Sequence, residues 1–291
     1  MIGRARTFGA ITITYALPSG IGCAAGIALS VDAEVSLVPR DPPARVEHQI
    51  PPSSRTPLVE EAIRQALTRF GSGSPVEAHL SLRSEIPPGR GLKSSSAVAT
   101  AVVLATARAA GRAPTLLKVA RVAADAGRAA GVSATGALDD ALAGLEPGFV
   151  VTDNRRDELL RRTDIDPDWG VVLYVPAQAH PPAPDLLSRF AVHRKQGELS
   201  ARAAMDGDWV RAMRLNTELV ERAMGYSYEK VRDRLASRGA IASGVCGLGP
   251  ALAAIGPTER LSDLVAEFPP DDSERRIVAF SRPDPSGGEV L

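Results

Sequence analysis

The sequence predicts an α+β protein built in two parts. Three observations carry that prediction. Apolar and polar residues alternate over short stretches at 10–16, 32–38 and 76–84. Residues 93–110 are almost uninterrupted Ala, Val, Leu and Thr, too long for a strand and apolar nearly all round, which is the pattern of a buried helix. A second series of strands and helices then restarts after the charged run 155–168.

Taken in order, Ile11, Ile13 and Tyr15 alternate with Thr12 and Thr14, the period of a strand. That alternation outweighs an export-signal reading suggested by Arg4 and Arg6 upstream. The small residues at 18–26 read as a loop, and 32–38 as the second strand. Residues 41–56, rich in Pro, Ser and Arg, form an exposed connection, after which Pro57 opens a helix to Phe70. Val76, Ala78, Leu80 and Leu82 share one face, giving a third strand buried on one side. Helices follow at 93–110, 116–130 and 137–145, then a strand at 148–152 that ends in Asp153-Asn154. The charged run reads as a surface crossing, so the two parts are drawn at 1–160 and 161–291. In the second part the pattern predicts a strand at 169–175, a Pro-rich loop at 176–184 and helices at 198–205, 209–224 and 228–238. A glycine-rich turn at 243–250, a helix at 261–268 and a strand at 276–281 complete it, and no internal repeat is present.

The 291 residues are 44% hydrophobic, enough for each part to bury a core. With 34 basic and 34 acidic residues, no net charge advertises nucleic acid or an anionic membrane as partner. Only Lys93, Lys118, Lys195 and Lys230 are lysines, and 46 residues are alanine, a bias of composition to which no function attaches. Aromatics make up 4%, so Ala, Val, Leu and Ile must close most of the core. No stretch reaches the roughly 20 apolar residues of a membrane span. Cys23 and Cys246 are too few for a disulfide framework and lack zinc spacing, which fits a reducing cytoplasm and small buried residues. His48, His79, His180 and His193 are scattered without ligand spacing, and Arg155 to Arg162 alternates with acids as a solvated face does.

The chemistry concentrates in Ile86-Pro87-Pro88-Gly89-Arg90-Gly91-Leu92-Lys93-Ser94-Ser95-Ser96-Ala97, which joins a strand to the start of the buried helix. Gly89 and Gly91 let the backbone turn its N–H groups toward one concavity. The helix start adds unpaired N–H groups and the positive end of its dipole. Ser94, Ser95 and Ser96 supply hydroxyls, and Arg90 and Lys93 supply charge. Glycines are missing where a Walker A loop needs them, at Pro87 and Leu92. A plain serine-capped turn would need neither two glycines nor two cations, so the segment reads as a phosphate-binding loop.

This loop resembles the second motif of the GHMP kinases, the small-molecule kinases named after galactokinase, homoserine kinase, mevalonate kinase and phosphomevalonate kinase. Lys93 stands where many members carry glycine or serine. Three further places resemble the archaeal-type shikimate kinases within that family, in the expected order: Ser19-Gly20-Ile21-Gly22-Cys23, Thr135-Gly136-Ala137-Leu138-Asp139-Asp140-Ala141 with the strand ending in Asp153-Asn154, and Gly244-Val245-Cys246-Gly247-Leu248-Gly249-Pro250. The resemblance implies a ribosomal-protein-S5-like domain followed by a ferredoxin-like domain, with the site between them. It implies direct in-line transfer from ATP with Mg2+ to the 3-hydroxyl of shikimate, a soluble small-molecule substrate, and leaves the oligomeric state open.

By the same resemblance Asp139 is the base and Asp140 its neighbour or support, Ser94 or Ser95 holds the metal, and Ser19, Gly20 and Gly22 face the acceptor. Adjacent helical residues point about 100° apart, so the two acids should not face the hydroxyl equally. Thr135 is placed to cap their helix. Cys246 and Leu248 replace the small hydroxyl residues usual around the third motif's Gly244, Gly247 and Gly249, so any hydrogen bond from it to phosphate would come from backbone alone. Mevalonate kinases place an N-terminal lysine near the acid; no lysine precedes Lys93, so that role is empty or taken by arginine. A carboxylated acceptor also calls for an arginine, one of 30. The competing readings are a GHMP kinase for homoserine, a mevalonate-type alcohol or a cyclitol acid, and a non-catalytic ligand sensor.

Overall fold

In the computed structural model, which describes residues 1–40, 48–71, 73–179 and 185–282, two antiparallel sheets carry the chain. β1 (Ile2–Thr14) pairs along its whole length with β2 (Ile21–Pro39). The other edge of β2 is shared between two strands. β3 (Val76–Ser84) takes the second half, from Val31 opposite Ser84 to Pro39 opposite Val76, and β4 (Phe149–Asp153) the first, from Ile21 opposite Asp153 to Ala25 opposite Phe149. β5 (Glu158–Thr163) pairs with β4 at the sheet's edge.

Two expectations change here. The small residues expected as a loop are mostly strand, because their glycines serve close approach as well as turning. A Cβ at Gly22 would lie 2.3 Å from the Asp139 carboxyl carbon, and one at Gly26 2.2 Å from the Ala143 carbonyl oxygen. The charged run expected as a crossing contains β5, whose largely exposed residues lack apolar alternation. A charged outer strand needs none, since backbone pairing holds it and charge discourages further pairing.

α1 (Pro57–Phe70) starts where Thr56 accepts from the Val59 N–H, with proline in its first turn. α2 (Ser94–Ala109) lies between the sheet, α1 and α3 (Leu116–Ala129). Its alanines let backbones touch: a Cβ at Gly3 of β1 would sit 2.1 Å from the Ala105 carbonyl oxygen. Its buried hydroxyls bond back along the helix, Thr100 to Ser96 and Thr106 to Val102, both at 2.7 Å. α4 (Leu138–Ala143) packs on β2 and β4.

The second sheet is built from β6 (Trp169–Val175), β7 (Ala242–Val245), β8 (Leu252–Pro257) and β9 (Glu274–Ala279), in the order β7-β8-β6-β9. Between β6 and β7 run α5 (Leu186–Ala191), α6 (Arg194–Asp206), α7 (Trp209–Met224) and α8 (Glu229–Ser237), and α9 (Leu261–Val265) precedes β9. Helical crossovers on either side of a central hairpin make this a ferredoxin-like arrangement. The break between the sheets falls at 164–168. Parts of the connection expected at 41–56 and of the loop at 176–184 lie outside the described residues.

Four of the aromatics pack together where the sheets meet. Phe149 stacks on Trp209 at 4.5 Å between ring centroids, with Trp169 and Phe280 beside them. Replacing the 2% exposed Phe149 with alanine is expected to cost about 3–5 kcal/mol, read as a lower urea midpoint with an unchanged slope.

Candidate active site

Between β3 and α2 the chain turns at Gly89 (φ 68°) and Gly91 (φ 85°). Gly91 is glycine because the third glycine-rich loop touches it: a Cβ there would be 1.9 Å from the Cys246 carbonyl oxygen. Lys93 caps α2 in the left-handed region (φ 65°, ψ 29°), and no side chain caps the helix. The first bonded N–H is that of Ala97, to the Lys93 carbonyl. The amides of Ser94, Ser95 and Ser96 thus stand at the wall of a cavity of about 250 Å³, lined also by Pro87, Gly89, Gly91 and, opposite, by Thr135, Gly136, Ala137 and Asp140. Leu92 lines it too, and Pro88 and Ala97 adjoin it along the chain. The Pro88 carbonyl accepts from Arg90, the Leu92 carbonyl from the Ala10 N–H, and the Ala97 carbonyl from Thr7.

The two cations of the loop do different work from that expected. The Arg90 guanidinium donates to the carbonyls of Pro176 (2.8 Å) and Ala177, pinning the loop to the end of β6 instead of offering charge to the cavity. Lys93 Nζ runs beneath the third loop to within 3.0 Å of Asp140 Oδ1 and 5.6 Å of the Tyr15 ring centre. Burial works against its charge, but Asp140 and Asp139 outweigh burial and hold the ammonium above the ordinary lysine range. The place expected to be empty or taken by arginine is therefore filled by Lys93 itself. A left-handed residue at the helix start is what sends its side chain toward α4.

Both acids of α4 are buried. Asp140 lines the cavity and meets Lys93; Asp139 faces the glycine of β2 described above and accepts from Asn154 Nδ2 at 3.1 Å. Two carboxylates and one ammonium leave this buried cluster one negative charge in excess. Burial first, then the Asp140 charge, pushes the Asp139 carboxyl up to about 7, with Lys93 and Asn154 opposing. Thr135 does not cap α4: its hydroxyl accepts from the Ala137 N–H at 3.3 Å. The cap is Asn154, whose Oδ1 accepts from the first helical N–H, at Leu138, at 2.6 Å. Asn154 thereby fixes both the helix and its acid, a role the sequence signals only as the end of a strand.

The third loop braces the phosphate loop and has few amides left for a ligand. The Gly247 N–H donates to Thr12 Oγ1 (2.7 Å), the Gly249 N–H to the Cys246 carbonyl (2.7 Å) and the Cys246 N–H to the Ala251 carbonyl (2.9 Å). Tyr226 and Tyr228 donate to the carbonyls of Leu248 and Pro250. Gly244 is required by contact, since a Cβ would lie 2.3 Å from Thr217 Oγ1. The expected backbone bonding to phosphate from this loop is thus largely pre-empted. Cys23 and Cys246 are buried and unpaired, and burial pushes both thiols up, that of Cys246 to about 11. They are packing residues.

Gly22 lies against the Asp139 carboxylate, and Ser19 and Gly20 form the turn that leads into it. The Ser19 hydroxyl bridges both backbone groups of Ile21, and the Gly20 carbonyl accepts from the Asn154 N–H at 2.9 Å. Phosphate loop, acid pair, third loop and acceptor-side turn therefore meet in one place. Thr12 and Tyr15 join them without having been picked out as site residues, and so does Asn154, quoted from the sequence only as the end of a strand.

Residues 57–146 match the GHMP kinases N terminal domain family. The shikimate kinase of Methanosarcina acetivorans is 34% identical over 279 residues, covering 96% of this chain and 93% of that protein. The shikimate kinase of Methanosarcina mazei is 33% identical over 281 residues, covering 96% and 94%. Among solved structures, the mevalonate kinase of Methanococcus jannaschii superposes with a TM-score of 0.71 at 13% identity, over 97% of this chain and 98% of that one. Identity sustained from end to end with curated relatives, on a shared fold, establishes descent: the chain belongs to the GHMP kinase family of small-molecule kinases, alongside the archaeal shikimate kinases.

Proposed function

We propose that this kinase transfers the γ-phosphoryl group of ATP to the 3-hydroxyl of shikimate. The observation that carries the chemistry is a buried carboxyl, Asp139, held near 7, whose neighbour Asp140 lines one cavity with a serine-rich helix start that has no side-chain cap. End-to-end similarity to shikimate kinases supports the acceptor.

In this reading the Ser94, Ser95 and Ser96 amides and the α2 dipole hold the donor phosphates. Asp139, kept in place by Asn154 and backed by Gly22, takes the proton from the acceptor oxygen as it attacks. Asp140 holds Lys93, whose charge opposes the rise of the Asp139 carboxyl. Among the described residues no group of three or more His, Cys, Asp and Glu side chains is arranged for a metal ion. Mg2+ commonly keeps its waters and takes phosphate oxygens with one or two protein ligands. Ser94 or Ser95, with Asp140 across the same cavity, fits that mode, and a bound Mg2+ would offset phosphate charge there. Two buried free thiols and a need for ATP suit a cytoplasmic enzyme. The division between the two functional parts drawn at 160/161 is best moved to the break at 164–168.

Purified protein with Mg-ATP and a panel of shikimate, homoserine, mevalonate and cyclitols, followed by ADP release, tests the proposal. Shikimate is expected to be turned over with the highest kcat/KM. Turnover confined to another acceptor, or ATP binding with no turnover at all, overturns it.

A further inference from the structure

We infer that Arg155 is the residue that reads the acceptor's carboxylate; the inference rests on the reading of the acceptor as a carboxylated ring alcohol. A carboxylate is best gripped by a guanidinium with donors to spare. The other arginines around the acid pair are spent. Arg90 is tied to the Pro176 and Ala177 carbonyls, and Arg128 donates to Asp125, Asp157 and the Thr135 carbonyl. Lys93 is held by Asp140.

Arg155 directly follows Asn154, and its backbone is fixed while its head is not. The Asn154 N–H bonds to the Gly20 carbonyl, and the Arg155 N–H bonds to Asp153 Oδ1 at 2.9 Å. Its guanidinium makes no hydrogen bond or ion pair with a described residue. The acids beside it are engaged elsewhere: Asp153 also accepts from the Arg156 N–H, and Asp157 pairs with Arg128.

The guanidinium lies over Gly20, where a Cβ would be 2.6 Å from Arg155 Nε and 2.8 Å from Cζ. Two residues further on, Gly22 lies against the Asp139 carboxylate. Two residues span at most about 7 Å, so the two glycines lie within that distance of each other. The same short stretch thus presents a base at one glycine and an unpaired cation at the other. That spacing suits a six-membered ring whose reacting hydroxyl and carboxylate are in meta relation, as in shikimate. A stretch that reads from sequence as a solvated face so supplies the arginine that the acceptor requires.

The test compares the parent protein with Arg155→Gln and Arg155→Lys, using shikimate and its neutral methyl ester as acceptors. Arg155→Gln is expected to raise the KM for shikimate about 10- to 100-fold, with kcat and the KM for ATP within about twofold of the parent. The parent should prefer the acid to the ester, Arg155→Gln should treat them nearly alike, and Arg155→Lys should recover part of the preference. An unchanged shikimate KM, or a preference for the acid retained in Arg155→Gln, overturns the inference while leaving the acceptor assignment intact. A parent that phosphorylates no carboxylated acceptor overturns both.

Discussion

Asp139→Asn is expected to lower kcat by about 10²–10⁴-fold while leaving ATP affinity within a few-fold, and at the same time to raise the melting temperature at pH 8. Both effects come from the same buried cluster. Asp139, Asp140 and Lys93 carry two negative charges against one positive, and burial with the Asp140 charge pushes Asp139 up to about 7. In the unfolded chain the same carboxyl titrates near 4. Between those values the native protein holds a proton that the unfolded chain has released. The stability this group contributes is therefore full below about pH 4 and is lost as pH climbs through 7. Asparagine removes that loss and keeps an oxygen for Asn154 Nδ2, so the variant's advantage over the parent should be larger at pH 8 than at pH 5. In the active parent, kcat/KM should rise with pH and level off above about 7. Steady-state kinetics and scanning calorimetry at the two pH values check the set; wild-type-like turnover would remove Asp139 from the mechanism.

The second large effect is expected at Lys93. A non-glycine residue in the left-handed region costs roughly 1–2 kcal/mol, and Lys93 adopts it at φ 65°. Its ion pair with Asp140 compensates. Lys93→Gly relieves the backbone and deletes the cation; Lys93→Ala deletes the cation and keeps the strain. Without the ammonium the two acids face each other unscreened, so one must hold a proton to higher pH. Both variants should show the kcat/KM profile displaced upward by about 1–3 pH units, which lowers activity at pH 7 by about tenfold or more. The glycine variant should unfold at the higher temperature. An undisplaced profile with only a raised KM for ATP would instead assign Nζ to the phosphates.

These two residues mark where the sequence can be read directly and where it cannot. The phosphate loop is legible because its glycines, serines and helix start are contiguous and each has a local reason. Pro57–Phe70 and Trp209–Met224 fall where expected because their ends carry local signals, Thr56 and Pro57 at one start, Asp208 and Gly225 around the other helix. The Lys93 to Asp140 pair joins residues 47 apart, and nothing near either position announces the other. Gly22 and Gly26 look like loop residues until α4 is laid on them. Arg90 reads as a phosphate ligand because its partners are carbonyls of Pro176 and Ala177, groups every residue has. Asn154 is visible as an ending, and only the fold turns it into a cap.

The divided edge of β2 has a bearing on how such enzymes diversify. β3, which feeds the phosphate loop, grips the half of β2 from Val31 onward, whereas β4 and the turn bearing Arg155 grip the half that begins at Ile21. On the proposed reading, donor and acceptor machinery thus hang from opposite halves of one strand. On that reading, exchanging residues 18–20 together with 155–157 is expected to alter what is phosphorylated while leaving Tyr15 beside Lys93 and Asn154 on Asp139. A lineage could change its diet at one end of a strand while inheriting its fuel line intact at the other, and a designer could graft new acceptors by the same cut.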